Sequence, residues 1–391
     1  MNFVRLLLVL GSLAALPARA VYAPLPEQDQ QKAWTVSVRA GVSHDSNIFG
    51  AENGAISSMV YGVSPKIAYE GSLSDRTFAM FGYTLTLDHV VDRPGDKTLD
   101  GHDLMARLAH AFSRTTTIDV SNYYLIAKNP ESLLAGLPVN TDQSFKRNEF
   151  NARFATSPAP KLGAVLKARS VNYDYDNAVL ARSIDRMENL FGIAGTYDLL
   201  PEAKAVIEYR REIIDYRTGG STKDKDTDFV IGGFDYAVAK KMSLSTRLGQ
   251  QWRNRVYGPS SSGLYAEFSA KYDYAERSYL AAGYVRTYEE TSNVASYTDT
   301  RVNRVFLNVQ HAVSALVVAS GSVTYEPSQL QGRFGVADAD ETTTRVGLAL
   351  TWLPTPHWSF SGSYDYDRIE SDAPGRGQKR ERVGVSAGYA F

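Results

Sequence analysis

The sequence predicts an all-β chain: a transmembrane, antiparallel, up-and-down β-barrel of about eighteen strands, with sixteen as the alternative count. Three observations carry this prediction. Apolar and polar side chains alternate with period two along most of the chain, tight connections alternate with long polar ones, and no helical stripe competes. Trp34, Val36, Val38, Ala40 and Val42 share one strand face, opposite Thr35, Ser37, Arg39, Gly41 and Ser43. Leu264, Ala266, Phe268, Ala270 and Tyr272 repeat the rhythm, as do Val346, Leu348, Leu350 and Trp352. A membrane leaves no water for an open sheet edge, so strands with one oily face must close on themselves there. The mean hydropathy of −0.27 does not argue against this, because outward and inward residues of a barrel strand cancel in the average.

Strands are predicted near 34–44, 57–70, 76–90, 101–112, 115–127, 144–156, 161–174, 186–199, 202–216, 226–239, 241–256, 262–275, 277–289, 299–313, 315–326, 340–353, 356–369 and 379–391. Ser113-Arg114, Ser157-Pro158-Ala159-Pro160, Pro201, Lys240, Glu276 and Pro354-Thr355 are tight links. Longer polar segments fall between them: Asp45 to Ile56, Lys128 to Asp142, Asp174 to Asp185, Thr218 to Lys225, Glu289 to Thr298, Pro327 to Ala339 and Glu370 to Gln378. Short turns on one rim and long loops on the other are a barrel's periplasmic and extracellular sides, and an even strand count puts both termini on the short side. Trp34, Tyr61, Tyr69, Tyr123, Tyr124, Trp252, Tyr272, Tyr274, Trp352 and Trp358 fall near strand ends, where aromatic girdles belong. The best soluble competitor is a propeller, but no unit repeat is present.

Residues 1–20 combine Arg5, the apolar run from Leu6 to Leu16 and Ala18-Arg19-Ala20, the parts of a cleavable signal peptide. Residues 21–33 are read as a periplasmic arm and 34–391 as one barrel domain. Basic and acidic residues number 42 and 43, a balance that offers nothing to a nucleic acid, and cysteine is absent, so neither disulfides nor thiol chemistry is available.

Carrying the alternation through the strands places Arg39, Lys66, Arg107, Arg153, Lys167, Arg169, Arg210, Arg247, Arg253, Lys271, Arg304, Arg345 and Arg382 on the wet face. Glu70, Asp88, Asp119, Glu149, Glu208, Glu267, Asp273 and Asp365 join them, leaving a mixed wall with some basic excess. Charges facing lipid near the midplane cost roughly 2–4 kcal/mol, so their phase identifies the lumen side. A basic ring would favour anions, while cross-strand pairing would merely satisfy the charges. Tyr265 is a candidate for stacking against a sugar ring. His44-Asp45-Ser46 is no catalytic triad, because adjacent residues on an extended chain point to opposite sides, and no enzyme is expected. Asp224, Asp226 and Asp228, or Asp338, Asp340 and Glu341, lack a calcium-coordinating spacing. No cofactor, metal ligand set or phosphate loop is present in the sequence.

The final strand, with Val383, Val385, Ala387, Tyr389 and Phe391 on one face, resembles the carboxyl-terminal insertion signature of bacterial outer-membrane barrels. Tyr389 and Phe391 would be the residues read by the barrel-assembly machinery. The tract Ala40-Gly41-Val42-Ser43-His44-Asp45-Ser46-Asn47-Ile48-Phe49, followed by Val63-Ser64-Pro65-Lys66-Ile67, resembles the opening hairpin of the β-barrel porin type 2 family. That resemblance implies an outer-membrane barrel similar to the Wzp-type proteins: a monomeric conduit for exopolysaccharide, served by a short periplasmic polysaccharide-export protein. The expectations from the residues alone also include a general or solute-specific diffusion porin and a plugged structural or adhesive barrel.

Overall fold

Each period-two segment becomes a strand because alternation lets one face meet apolar surroundings and the other meet water. In the computed structural model, which describes residues 33–127, 144–217, 222–238, 241–291 and 296–391, there are eighteen strands. In chain order they begin with β1 (Trp34–Asp45), β2 (Ser58–Ser74), β3 (Thr77–Val90), β4 (Thr98–Ala111), β5 (Thr116–Ala127) and β6 (Phe145–Ala159). β7 (Leu162–Tyr175), β8 (Arg186–Leu200), β9 (Ala203–Tyr216), β10 (Lys225–Val238), β11 (Met242–Arg255) and β12 (Ser261–Ala275) follow. The series ends with β13 (Ser278–Glu289), β14 (Tyr297–Ala312), β15 (Val317–Gly332), β16 (Ala339–Trp352), β17 (Trp358–Ser371) and β18 (Gln378–Ala390). One short helix, α1 (Ala178–Ile184), lies between β7 and β8. Among the described residues no helix is long and apolar enough to cross a membrane.

Every strand pairs antiparallel with its sequence neighbours, and β1 also pairs with β18, from Ser37 opposite Ala390 to Asp45 opposite Arg382. The sheet therefore closes and has no edge to protect. Eighteen strands spaced about 4.8 Å apart and tilted by about 40° give a cylinder about 35 Å across between backbones.

The two faces are chemically distinct. Val36, Ile207, Leu248, Leu350 and Val385 are exposed at 43%, 66%, 60%, 55% and 61% on the convex side. An apolar surface of that extent is what lipid contact requires and water would not tolerate. At the tight-turn rim Trp34 packs on Tyr69 (5.1 Å between centroids), Trp358 on Tyr389 (5.0 Å) and Tyr389 on Phe391 (4.9 Å). These rings form one aromatic girdle. Tyr123 does not belong to it: its hydroxyl donates to Asp103 on the lumen side at 2.8 Å.

The structure departs from expectation in two other places. The segment expected to be a plain loop from Asp174 to Asp185 contains α1, and β15 runs through Pro327 to Gly332 instead of stopping near 326. Proline has no ladder N–H. It is accommodated because Pro327 still lies opposite Thr342 of β16, while the β14–β15 register omits a partner for it. Residues 1–20, most of the 21–33 arm and the 128–142 loop, and Lys240 lie outside the described residues.

Candidate functional site: the lumen

The interior holds a cavity of about 1080 Å³ to which all eighteen strands contribute lining residues. Its wall is lopsided. On β15–β18 and β1–β2 the inward positions are mostly small: Ser320, Ser322, Gly347, Ser359, Ser361, Ser363, Gly384, Ser386, Gly388, Ser37, Gly41, Gly62 and Ser64. On β6–β14 large charged and aromatic residues are more frequent, as at Arg147, Lys167, Arg169, Arg210, Phe229 and Arg253. The free channel is thus displaced toward the small-residue wall.

The bulky wall is tied together by ion pairs that skip strands, which only a concave surface permits. Asp299 on β14, fully buried, accepts from Lys225 Nζ on β10 (2.9 Å), Arg253 Nη1 on β11 (2.8 Å) and Arg255 Nε (3.0 Å). Arg253 also donates to Thr227 (2.9 Å) and Glu212 (3.2 Å), and Glu290 accepts from Arg253 (3.2 Å) and from the Tyr216 hydroxyl. Lower in the barrel, Glu208 takes a bidentate pair from Arg210 (2.8 and 3.1 Å) and a third bond from Lys167 (2.9 Å). Such charges are tolerated out of water only when paired and hydrogen-bonded.

Other expected lumen cations are pinned in the same way. Arg107 forks onto Asp119 (2.9 and 2.6 Å) and Arg247 onto Asp235 (2.7 and 2.8 Å). Arg304 is held by Glu326 and by Glu289 (3.1 Å), and Lys271 by Asp273 (2.9 Å). Arg169 lies 3.7 Å from Glu188, Arg382 3.4 Å and Arg345 3.9 Å from Asp367, and Arg153 stands opposite Asp119 and Lys167 in the ladder. Arg39 differs: it is exposed, lines the cavity and has no ion-pair partner among the described residues. Tyr265 is only 5% exposed. Phe229 packs against its ring and its hydroxyl binds Arg210 (3.2 Å) and Glu267 (2.8 Å), so it is poorly placed to stack on a passing sugar.

The basic excess read from the sequence is not present at the cavity wall, which carries ten basic and ten acidic side chains. Eight acids not read from the sequence restore the balance: Asp100, Asp103, Glu188, Glu212, Glu289, Glu290, Glu326 and Asp367. The strand phase reaches Glu188, Glu212, Glu289 and Glu326, and likewise Arg147 and Arg186. Glu290 belongs to the 290–291 segment between strands, which no strand phase predicts.

The long-loop rim turns inward. Asn177 caps α1, its side chain accepting from Leu180 N at 3.3 Å, and the Ala-Leu-Ala composition favours a helix. Leu180 and Ile184, four apart and so on one face, pack on inward-facing Phe145, Tyr175, Ile214 and Tyr216. Ile48 of the β1–β2 segment packs on Val90 and Leu99, and Ala373 of the β17–β18 segment on Tyr297, Leu330 and Ala339. Arg376 clamps Glu341 (2.7 and 2.8 Å). Lys223 Nζ holds the Ser183 carbonyl at 2.8 Å. Burial lowers the pKa of Lys223, and neighbouring Arg333 and Lys225 lower it further. Burial raises that of Asp185, against the hydrogen bond it accepts from Tyr175 N.

Asp45 binds Arg380 inside the barrel, while His44 has the outward phase of Val42, so His44 and Asp45 do diverge. Asp226 and Asp228 point outward to Arg211, and Asp224 accepts from Tyr216 N, so these acids do not converge on a cation. Among the described residues no cluster of metal-ligating side chains is present.

A closed barrel with an oily exterior and a charged lumen enclosing a cavity defines a porin-type membrane protein. No family model matches the chain, and no curated protein matches it. Among solved structures it is similar to the outer membrane protein OpdK of Pseudomonas aeruginosa (11% identity, 92% of this chain, 98% of that one, TM-score 0.48). It is also similar to a BenF-like porin from Pseudomonas fluorescens Pf-5 (11%, 92% and 99%, 0.49) and to OccK2 of Pseudomonas aeruginosa (11%, 92% and 98%, 0.49). Identities and scores at this level carry no information about solute.

Proposed function

We propose that the chain is an outer-membrane diffusion channel for small polar solutes, with its long-loop rim facing outward. The observation that carries this reading is a cavity lined by all eighteen strands, with α1 packed against the inward-facing Phe145, Tyr175, Ile214 and Tyr216 at the long-loop rim. A lumen lined by hydroxyls and by both signs of charge offers many weak contacts, so that a solute can both enter and leave. Ten charges of each sign favour weak selectivity over a strict anion filter.

The exopolysaccharide conduit implied by the family resemblance, with its periplasmic partner, is the weaker reading. A growing polymer needs a clear exit, and α1 and the segments carrying Ile48 and Ala373 lie across the inner wall where it would emerge.

Replacing Leu180 and Ile184 with aspartate should release α1 from its apolar seat and raise single-channel conductance in a planar bilayer by about half or more. Unchanged conductance would mean that α1 does not narrow the path. Deleting the gene separates the two readings in cells. Slower entry of small polar solutes with normal surface polysaccharide supports diffusion, and lost surface polysaccharide supports export.

A further inference from the structure

On the convex face of β13–β15, Tyr284, Val305 and Tyr325 form one row in ladder register. Tyrosines above an apolar band mark the depth at which lipid headgroups begin. The next positions toward the long-loop rim hold Arg286 opposite Asn303, then Arg301 opposite Gln329. The two guanidiniums are diagonal neighbours on adjacent strands, about 7 Å apart at Cβ for such a pair.

Their partners are unusual. Arg286 donates to Asn303 Oδ1 (3.3 Å), which also accepts from the Tyr284 hydroxyl (3.1 Å), and Arg301 donates to Gln329 Oε1 (2.6 Å). Neither arginine makes an ion pair among the described residues. Several other cations of the outer wall are matched by carboxylates: Arg211 by Asp226 and Asp228, Arg368 by Glu370, Lys379 by Glu381, and Lys146 by Asp176, whereas Arg217 donates to the amide oxygen of Asn172. The nearest outward carboxylate in the same row, Asp340, stands beyond Gln329 and out of ion-pair contact. Amide oxygens orient the guanidiniums without neutralising them, which leaves a double positive charge at headgroup depth.

We propose that Arg286 and Arg301 form a docking site for a phosphate group of the outer-leaflet glycolipid. Two adjacent guanidiniums present forked donors matched to phosphate oxygens, and the apolar surface below accommodates the acyl chains. The choice of leaflet rests on the proposed orientation of the long-loop rim.

The test uses the full-length barrel purified in detergent, with bound lipid counted by native mass spectrometry. The probes are the bis-phosphorylated acylated glucosamine disaccharide, its dephosphorylated form and phosphatidylglycerol. Arg286→Gln with Arg301→Gln should weaken binding of the bis-phosphorylated probe about tenfold. Arg286→Lys with Arg301→Lys should keep most of it, and Arg211→Gln should change nothing. Equal binding by the double glutamine variant, or of the dephosphorylated probe, would overturn the site. Phosphatidylglycerol binding as tightly as the glycolipid would overturn the assignment to that lipid. Conductance measured on the same preparations keeps the two proposals apart, because these arginines lie outside the lumen: lipid binding can fail while the channel remains open.

Discussion

Asp299→Asn is expected to destabilise the barrel by about 3–5 kcal/mol, the cost of removing one partner from a buried ion-pair network. Asp299 is the shared acceptor of Lys225, Arg253 and Arg255, and all three cations are largely withdrawn from water. Glu290 and Glu212 remain, but they already serve Lys225 and Arg253, so Arg255 loses its only carboxylate among the described residues. The amide keeps the shape and loses the charge, which separates electrostatics from packing. The measurement is the midpoint of the heat-induced mobility shift on a semi-native gel, or urea unfolding in micelles. Adding Lys225→Met should restore more than half of the loss, because it removes one of the orphaned charges. A single variant as stable as the parent would show that the cluster is not the brace of the bulky wall.

Arg39→Glu combined with Lys66→Glu is expected to convert a weakly selective pore into one preferring cations by roughly fivefold, the ratio given by about 1 kcal/mol of screened interaction. Arg39 is exposed to the lumen, Lys66 lies on the neighbouring strand, and neither has an ion-pair partner among the described residues. Both stand on the small-residue side, where the free channel runs. Arg247 and Arg304 make poorer probes, since Asp235, Glu289 and Glu326 already hold them and a swap would break those pairs. Reversal potentials across a salt gradient measure the effect. An unchanged ratio would mean that ions do not pass along that wall.

Much of this architecture is legible in the residues because a barrel is a local code repeated. Whether Val38 or Arg39 faces lipid follows from period two alone, and a tight link such as Glu276 announces the turn. Three features escape that code. The seven-residue α1 is too short for helical periodicity to register, although Asn177 followed by Leu180 and Ile184 is its cap and its apolar pair. The grouping of Asp299 with β10 and β11 depends on curvature, which brings together side chains three and four strands apart. The burial of Tyr265 depends on Phe229 and Arg210, which come from strands two and three away around the barrel. The lumen phase was therefore readable, whereas which lumen charges stay free was not.

The most direct test of the central claim, that one aqueous path runs through the closed barrel, is planar-bilayer recording from purified protein whose folding is verified by its heat-dependent gel mobility. The account predicts discrete, ohmic conductance steps that increase when Leu180 and Ile184 become aspartate. Folded protein that inserts without conductance above the bare bilayer, in both the parent and the α1 variant, would contradict it.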